Sequence, residues 1–150
     1  MDKDFNRGDN VILWETELIA RYCETDQMGI IHHSNYPKWF EAGRTDFFKK
    51  LGLRYSKIEE EGVLLLLIDL KCSFKSPARY EDEILVRTKP VEMSCVRLSF
   101  SYEVFKKDDM SLLASGETSH AWTDKSLKPL NIGKKVPELY VLLKEAVKNR

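Results

Sequence analysis

Residues 21–36 read Arg21-Tyr22-Cys23-Glu24-Thr25-Asp26-Gln27-Met28-Gly29-Ile30-Ile31-His32-His33-Ser34-Asn35-Tyr36, and a long amphipathic pattern follows at once. The stretch places an acid on the turn that ends a predicted strand, then a glycine, a histidine pair and the start of a predicted helix. A carboxylate near a helix N-terminus can attack a carbonyl or activate water beside it, while the terminal N–H groups polarise the carbonyl oxygen. The stretch therefore predicts both the centre of the fold and a site for nucleophilic or general-base chemistry.

The segment that begins at Tyr36 has the spacing of an amphipathic helix of about four to five turns. Ser34 or Asn35 is the predicted N-cap, and Gly52 is the predicted stop. Gly43, in mid-helix, costs ~1 kcal/mol of helix propensity relative to Ala. That cost predicts close packing of another element, most simply a sheet, against the helix. The apolar stripe contains Tyr36, Phe40, Gly43, Phe47 and Leu51, widened by Trp39 and Phe48.

The remainder of the chain reads mainly as strands with apolar residues at every second position. We expect one strand before the helix and four after it in a meander, which is an α+β architecture with the helix against an antiparallel sheet. The absence of repeats and linkers predicts a single domain over 1–150, with its core over about 12–130. The predicted strands are 12–23, 63–74, 80–91, 96–106 and 111–123, with a polar connection over 56–62, a hairpin turn over 107–109 and a C-terminal helix over about 137–147.

Charge and cysteine content narrow the class of protein. The chain has 150 residues, with Lys+Arg and Asp+Glu balanced at 24 each, which argues against nucleic-acid binding. Residues 1–10 are polar, and no apolar run is long enough for membrane insertion, so a cytoplasmic protein is expected. Cys23, Cys72 and Cys95 lack metal-ligand spacing and are expected to be reduced thiols.

One long motif carries a family resemblance. Tyr22-x-Glu24-Thr25-Asp26-x-x-Gly29-x-x-x-His33-x-x-Tyr36-x-x-Trp39-Phe40-Glu41-x-x-Arg44 resembles the signature of hotdog-fold acyl-CoA thioesterases of the 4-hydroxybenzoyl-CoA thioesterase family, the type that includes the Tol-Pal-associated acyl-CoA thioesterases. Residues 76–82, Ser-Pro-Ala-Arg-Tyr-Glu-Asp, are similar to the turn before the third strand in that family. The resemblance covers about residues 12–130.

The resemblance implies a curved antiparallel sheet of about five strands wrapped around one long central helix. It also implies a homodimer or homotetramer with sheets joined edge to edge and active sites at the subunit boundary. The implied reaction is hydrolysis of an acyl-CoA to free acid and CoA, without a cofactor. Asp26 corresponds to the catalytic carboxylate of the family, a backbone N–H near His33 to the oxyanion donor, and Gly29 to the turn that brings them together.

Each candidate has an alternative interpretation. Asp26 could simply stabilise its own turn, and the His33 imidazole could orient Asp26 or water, or satisfy a buried polar position. Asp26 with His32 and His33 has no standard metal-ligand spacing, so no metal is expected. Glu41 is the second candidate for the catalytic carboxylate, because another branch of hotdog thioesterases places it on the helix. Glu41 and Arg44 could otherwise form a local salt bridge.

Substrate contacts are less well marked. Tyr36 could line the acyl pocket, with the acyl chain against the helix and strand residues 63–68. Lys75, Arg79 and Arg97 are the candidates for the CoA phosphates. Some family members carry a basic run in the turn before the fourth strand, where this chain has only Arg97. The thioester could therefore also be carried by a protein-bound phosphopantetheine.

Two other functions remain open from the sequence. One is a hotdog dehydratase or hydratase, although its usual Asp-x-Asn-Pro-x-His pattern is absent, because Asp26 is followed by Gln27-Met28-Gly29. The other is a non-catalytic dimer that binds an acyl ligand.

Overall fold

The computed structural model of the protein describes residues 14–148, and the start of the first predicted strand, residues 12–13, lies outside them. Within residues 14–148, no helix is long and apolar enough to cross a membrane. Single 3₁₀ turns occupy Tyr22–Glu24 and His33–Asn35. The helices and strands are β1 (Trp14–Ile19), α1 (Tyr36–Lys50), α2 (Tyr55–Glu60), β2 (Leu64–Phe74), β3 (Glu83–Met93), β4 (Arg97–Lys106), β5 (Ser111–Thr123), α3 (Ile132–Lys135) and α4 (Pro137–Lys148).

The five strands form one antiparallel sheet in the order β1-β3-β4-β5-β2. β3, β4 and β5 form the predicted meander, but the expectation that β2 belongs to it is wrong. β2 pairs with β5 instead, from Leu64 opposite Thr123 to Phe74 opposite Ala114. The chain therefore crosses the sheet between β2 and β3, and β1 and β2 are its two edges.

The central helix α1 lies on the sheet, which curves around it. Its apolar stripe forms an aromatic core, in which Phe40 stacks on Tyr102 with ring centroids 4.4 Å apart. Phe47 meets Trp14 edge-on at 5.0 Å and Phe100 at 5.2 Å. Removing each such ring from water stabilises the fold by about 2–3 kcal/mol. The alternating residues of β4 predicted to face the core, Leu98, Phe100, Tyr102 and Val104, are all buried.

Gly43 is the point of closest approach between α1 and the sheet. A Cβ atom at this position would collide with the Thr88 hydroxyl and would lie 3.2 Å from Cγ1 of Val86, both on β3. The prediction that the sheet packs closely at this glycine is therefore confirmed. The helix also ends as predicted, because Gly52 follows it with φ +88°.

Two local predictions are wrong, and a third is confirmed only in position. β1 ends at Ile19 rather than at residue 23, and Tyr22 begins a 3₁₀ turn with 75% of its surface exposed. The predicted polar connection contains the short helix α2, whose Ile58 is buried in the core. Asn35 occupies the N-cap position of α1 as predicted, but its side chain makes no capping hydrogen bond, because its amide donates to the carbonyl groups of Glu24 and His32 instead.

The edge strand β2 leaves apolar side chains uncovered. Leu66, Leu67 and Ile68 are 41%, 45% and 47% exposed, beside an irregularity in the pairing with β5. Phe74, at the end of the strand, is 52% exposed. The most apolar run of the sequence thus belongs to an edge rather than to the interior of the sheet.

Candidate active site

Asp26 lies on a closed hairpin-like turn between β1 and α1. Its N–H donates to the Ile30 carbonyl at 2.9 Å, and its carbonyl accepts from the Gly29 N–H at 3.0 Å. At the base of the turn the His32 N–H donates to the Glu24 carbonyl at 2.8 Å. Gly29 has φ +76°, a conformation that glycine adopts without strain. The predicted role of Gly29 in shaping the turn matches this backbone.

The carboxylate of Asp26 is partly buried and held from one side. Its Oδ1 accepts a hydrogen bond from the Met28 N–H at 2.8 Å. Within residues 14–148, its Oδ2 makes no hydrogen bond and no ion pair. One oxygen therefore fixes the side chain, and the other is available to a substrate or a water molecule.

His33 opens the 3₁₀ turn that leads into α1. Among the described residues, nothing accepts a hydrogen bond from its backbone N–H. Its exposed ring lies 4.0 Å from the ring of His32, centroid to centroid, and makes no hydrogen bond to Asp26. The His32 Nδ1 in turn contacts the Ser34 hydroxyl at 2.8 Å. The free N–H, rather than the imidazole, is therefore the feature that suits the predicted oxyanion donor.

The segment between β2 and β3 packs against the Asp26 turn. The Ile31 N–H donates to the Ala78 carbonyl at 2.9 Å, and Ala20 and Asp82 are linked at the same distance. This packing places the exposed side chains of Lys75 and Arg79 at the same end of the sheet as the turn.

Arg97 lies elsewhere. It begins β4 opposite Ala121, near the end of β3 at Met93, whereas β3 starts beside the Asp26 turn at Glu83. Eleven strand residues at about 3.3 Å each separate the two ends of β3. Within a single subunit, Asp26, Lys75 and Arg79 therefore lie at one end of the sheet and Arg97 lies at the other.

Tyr36 is part of the core beneath the turn, with 2% of its surface exposed. Phe74 meets its ring edge-on at 5.1 Å and lies 6.5 Å from the His33 ring. Burial raises the pKa of Tyr36, and a backbone hydrogen bond at Ala78 opposes that rise in pKa. The exposed aromatic side chains at this end of the sheet are Phe74, Tyr22 and Tyr80 rather than Tyr36, and the last two meet edge-on at 5.5 Å.

Glu41 is exposed on α1 and lines a shallow groove between α1 and β1, together with Lys38, Glu15 and Glu17. The structure does not bring it to the Asp26 turn. The predicted salt bridge between Glu41 and Arg44 is also wrong within the described residues. Arg44 instead donates a hydrogen bond at 3.1 Å to the Tyr102 hydroxyl.

Arg44 begins a buried polar chain that the sequence did not indicate. The Tyr102 hydroxyl lies 2.6 Å from the Thr118 hydroxyl, which lies 2.9 Å from Nε2 of His120. Burial, and secondly the charge of Arg44, lower the pKa of His120 to about 4. The signal available in the sequence was weak, because these residues come from one helix and two strands and meet only through pairing of β4 with β5.

Comparison with known proteins identifies the family. Residues 21–143 match the sequence profile of the thioesterase-like superfamily. The chain belongs to the thioesterase-like superfamily. The putative acyl-CoA thioesterase YneP of Bacillus subtilis is 36% identical over 134 residues, which make up 88% of this chain and 96% of the relative. A putative esterase of Aquifex aeolicus is 37% identical over 120 residues, covering 80% of this chain and 91% of the relative.

A solved structure supports the same superfamily. The DHNA-CoA thioesterase of Staphylococcus aureus superposes with a TM-score of 0.85 at 31% identity, covering 89% of each chain. The five-stranded antiparallel sheet around one long helix is thus the hotdog architecture of the superfamily, and the predicted fold and family are confirmed.

Proposed function

We propose that this protein hydrolyses acyl-CoA thioesters to free acid and CoA, with Asp26 as the catalytic carboxylate. The observation that supports this assignment most strongly is the state of the Asp26 side chain. One oxygen is anchored by the Met28 N–H and the other is free within the described residues. The same turn leads directly to the free N–H of His33, which opens the 3₁₀ turn before α1.

This arrangement supports two chemical routes. In the first, Oδ2 of Asp26 attacks the thioester carbonyl, the C–S bond breaks, and water then hydrolyses the resulting anhydride. In the second, the carboxylate removes a proton from a water molecule as that water attacks the carbonyl, and the C–S bond then breaks with CoA leaving as the thiolate, which takes up a proton. In both routes negative charge develops on the carbonyl oxygen, where a preorganised N–H donor stabilises the transition state. We assign that donor to the His33 backbone.

The substrate class rests on the relatives. The Bacillus subtilis relative is named a putative acyl-CoA thioesterase, and the Staphylococcus aureus structure is that of a DHNA-CoA thioesterase. A CoA thioester needs cations for its phosphates, and the exposed Lys75 and Arg79 lie at the same end of the sheet as the Asp26 turn. We propose that these two side chains contact the nucleotide portion of CoA.

We also propose a homodimer formed through the β2 edges. The exposed Leu66, Leu67 and Ile68 would be covered, and the unpaired edge of the strand would gain a partner. Antiparallel pairing of two β2 strands would place the Leu64 end of one beside the Phe74 end of the other. Arg97 of the partner subunit would then approach the Asp26 turn, which accounts for its distance from that turn within one chain.

We propose a cytoplasmic location for the protein. All three cysteines are free thiols in the structure. Unpaired cysteines are typical of compartments that keep thiols reduced.

The test is CoA release from short, long and aromatic acyl-CoAs, with an acyl-phosphopantetheine carrier protein and an enoyl-CoA in the same panel. Free thiol from at least one acyl-CoA, with the free acid in equal amount, is the expected result. Hydration of the enoyl-CoA without thiol release would replace the proposal with a hydratase. Binding without turnover of any substrate would replace it with a ligand-binding dimer, and thiol release from the carrier protein alone would change the substrate class.

A further inference from the structure

Glu24 is a buried acid two residues before Asp26. Only 5% of its surface is exposed, although its neighbours Arg21, Tyr22 and Cys23 are all exposed. Burying a carboxylate is costly unless hydrogen bonds replace its water. The hydrogen bonds of the Glu24 side chain must therefore compensate for the water that it loses on burial.

Both oxygens of the Glu24 carboxylate are used. Oε2 accepts a hydrogen bond from the indole N–H of Trp39 at 3.1 Å. Oε1 accepts one from the backbone N–H of Arg21 at 2.8 Å, and the Arg21 Nε lies 3.5 Å away. The side chain thus links the end of the β1 segment to the first turns of α1.

The backbone of Glu24 closes the Asp26 turn. Its carbonyl accepts from the His32 N–H at 2.8 Å and from the side-chain amide of Asn35 at 2.9 Å. Glu24 therefore contacts the segment before the turn, the residue that closes it, and the helix that follows. Within the described residues, no other acid makes hydrogen bonds to all three parts.

We infer that Glu24 is a positioning residue that sets the placement of the Asp26 carboxylate relative to the N–H groups at the start of α1. This inference rests on the proposed function. Attack on a carbonyl requires the carboxylate and the oxyanion donor to be held in register, and a displacement of about 1 Å can reduce a rate by about 10²-fold. Glu24 itself does not touch the substrate. Its contribution acts through Asp26.

The test compares kcat and KM for the wild type, E24Q and W39F. E24Q keeps the size of the side chain but replaces one acceptor oxygen with an NH₂ group. This donor would face another donor, either the Arg21 backbone N–H or the Trp39 indole N–H. We expect kcat to fall by about 10- to 100-fold in E24Q, because misplacement of the catalytic carboxylate by up to about 1 Å lowers the rate to this extent, with KM within about threefold of wild type. W39F keeps an aromatic side chain, although a smaller one, and removes the indole N–H donor to Glu24. A smaller loss of kcat is expected, and this variant tests the same link if E24Q does not fold.

The matched control is D46N. Asp46 is also a carboxylate that links α1 to β1, through the Thr16 hydroxyl at 2.7 Å, and it accepts from Lys50 at 3.0 Å. It lies near the C-terminal end of α1, away from the turn. A purely structural loss predicts that D46N and E24Q reduce kcat alike, whereas a positioning role predicts an effect of E24Q alone.

A second readout separates positioning from loss of folded enzyme. In a D26N background, E24Q should cause no further fall in turnover, because there is no catalytic carboxylate left to position. An equal fall of turnover in both backgrounds would overturn the inference, as would a wild-type kcat in E24Q. An inactive wild type would overturn the proposed function and this inference together. An active wild type with an unchanged kcat in E24Q would overturn this inference alone.

Discussion

At Gly43 a single hydrogen atom, in place of a methyl group, allows α1 to approach β3. The Thr88 hydroxyl occupies the space that a Cβ would need, and it makes no hydrogen bond of its own in the structure. The close approach could be predicted from the position of a glycine in the middle of a helix. The residue that packs against Gly43 could not be predicted, because Thr88 is far away in the sequence and nothing in the pattern of β3 indicates that it lies opposite this glycine.

We expect G43A to destabilise the protein by about 1–2 kcal/mol, because overpacking outweighs the ~1 kcal/mol gain in helix propensity. Urea unfolding at neutral pH measures the change. The double variant G43A/T88A should recover part of the loss, since Thr88→Ala removes the atom that the new methyl group meets. A G43A protein more stable than wild type would contradict this packing.

At the scale of helices and strands, the periodic patterns predicted where most elements lie but not which strands are neighbours. The alternation in β4 and the spacing of α1 are local properties of the chain. The position of β2 beside β5 depends on a crossing of the sheet, which leaves no mark in residues 64–74. The same limit applies to the apolar run of β2, whose sequence predicts a strand but not its place at the edge of the sheet.

The exposed edge of β2 yields a prediction about assembly. We expect the wild type to sediment as a dimer or larger oligomer and L67E to shift toward the monomer, because a charge on the edge strand opposes edge-to-edge pairing. L127E is the matched control, since Leu127 is also exposed, at 58% against 45% for Leu67, but lies on the loop after β5. A monomeric wild type would contradict the proposed dimer, and so would identical sedimentation of wild type and L67E.

At the scale of the whole molecule, the sheet and α1 enclose a polar chain from Arg44 to His120. One ring nitrogen of His120, Nδ1, is buried without a hydrogen-bond partner in the structure. The Asp26 turn could be predicted because its residues are consecutive, and its glycine marks the conformation. The Arg44 chain and the contact between Glu24 and Trp39 could not, since each joins residues from elements whose packing the sequence does not state.

The stability of the molecule should fall in mild acid because of His120. Its pKa is about 4 in the folded protein against 6.5 for an ordinary histidine, so between these values the unfolded chain binds a proton that the folded chain does not. The stabilisation is complete above about pH 6.5 and is lost as the pH falls toward 4, by on the order of 3 kcal/mol.

Urea unfolding of wild type and H120Q between pH 7 and pH 4 tests this dependence. Carboxylates titrate in both proteins, so the difference between the two curves isolates His120. We expect the free energy of unfolding of wild type to fall more steeply than that of H120Q. Parallel curves would contradict the assignment.

The measurement that tests the proposed mechanism most directly is turnover of the best acyl-CoA by D26N beside E41Q, with folding checked by thermal unfolding. We expect D26N to lose about 10³-fold or more in kcat, equivalent to about 4 kcal/mol of transition-state stabilisation. E41Q should retain activity near that of wild type, because Glu41 lies in the groove beside β1. Wild-type turnover by folded D26N would contradict the assignment of Asp26, and a large loss confined to E41Q would transfer the catalytic role to the helix.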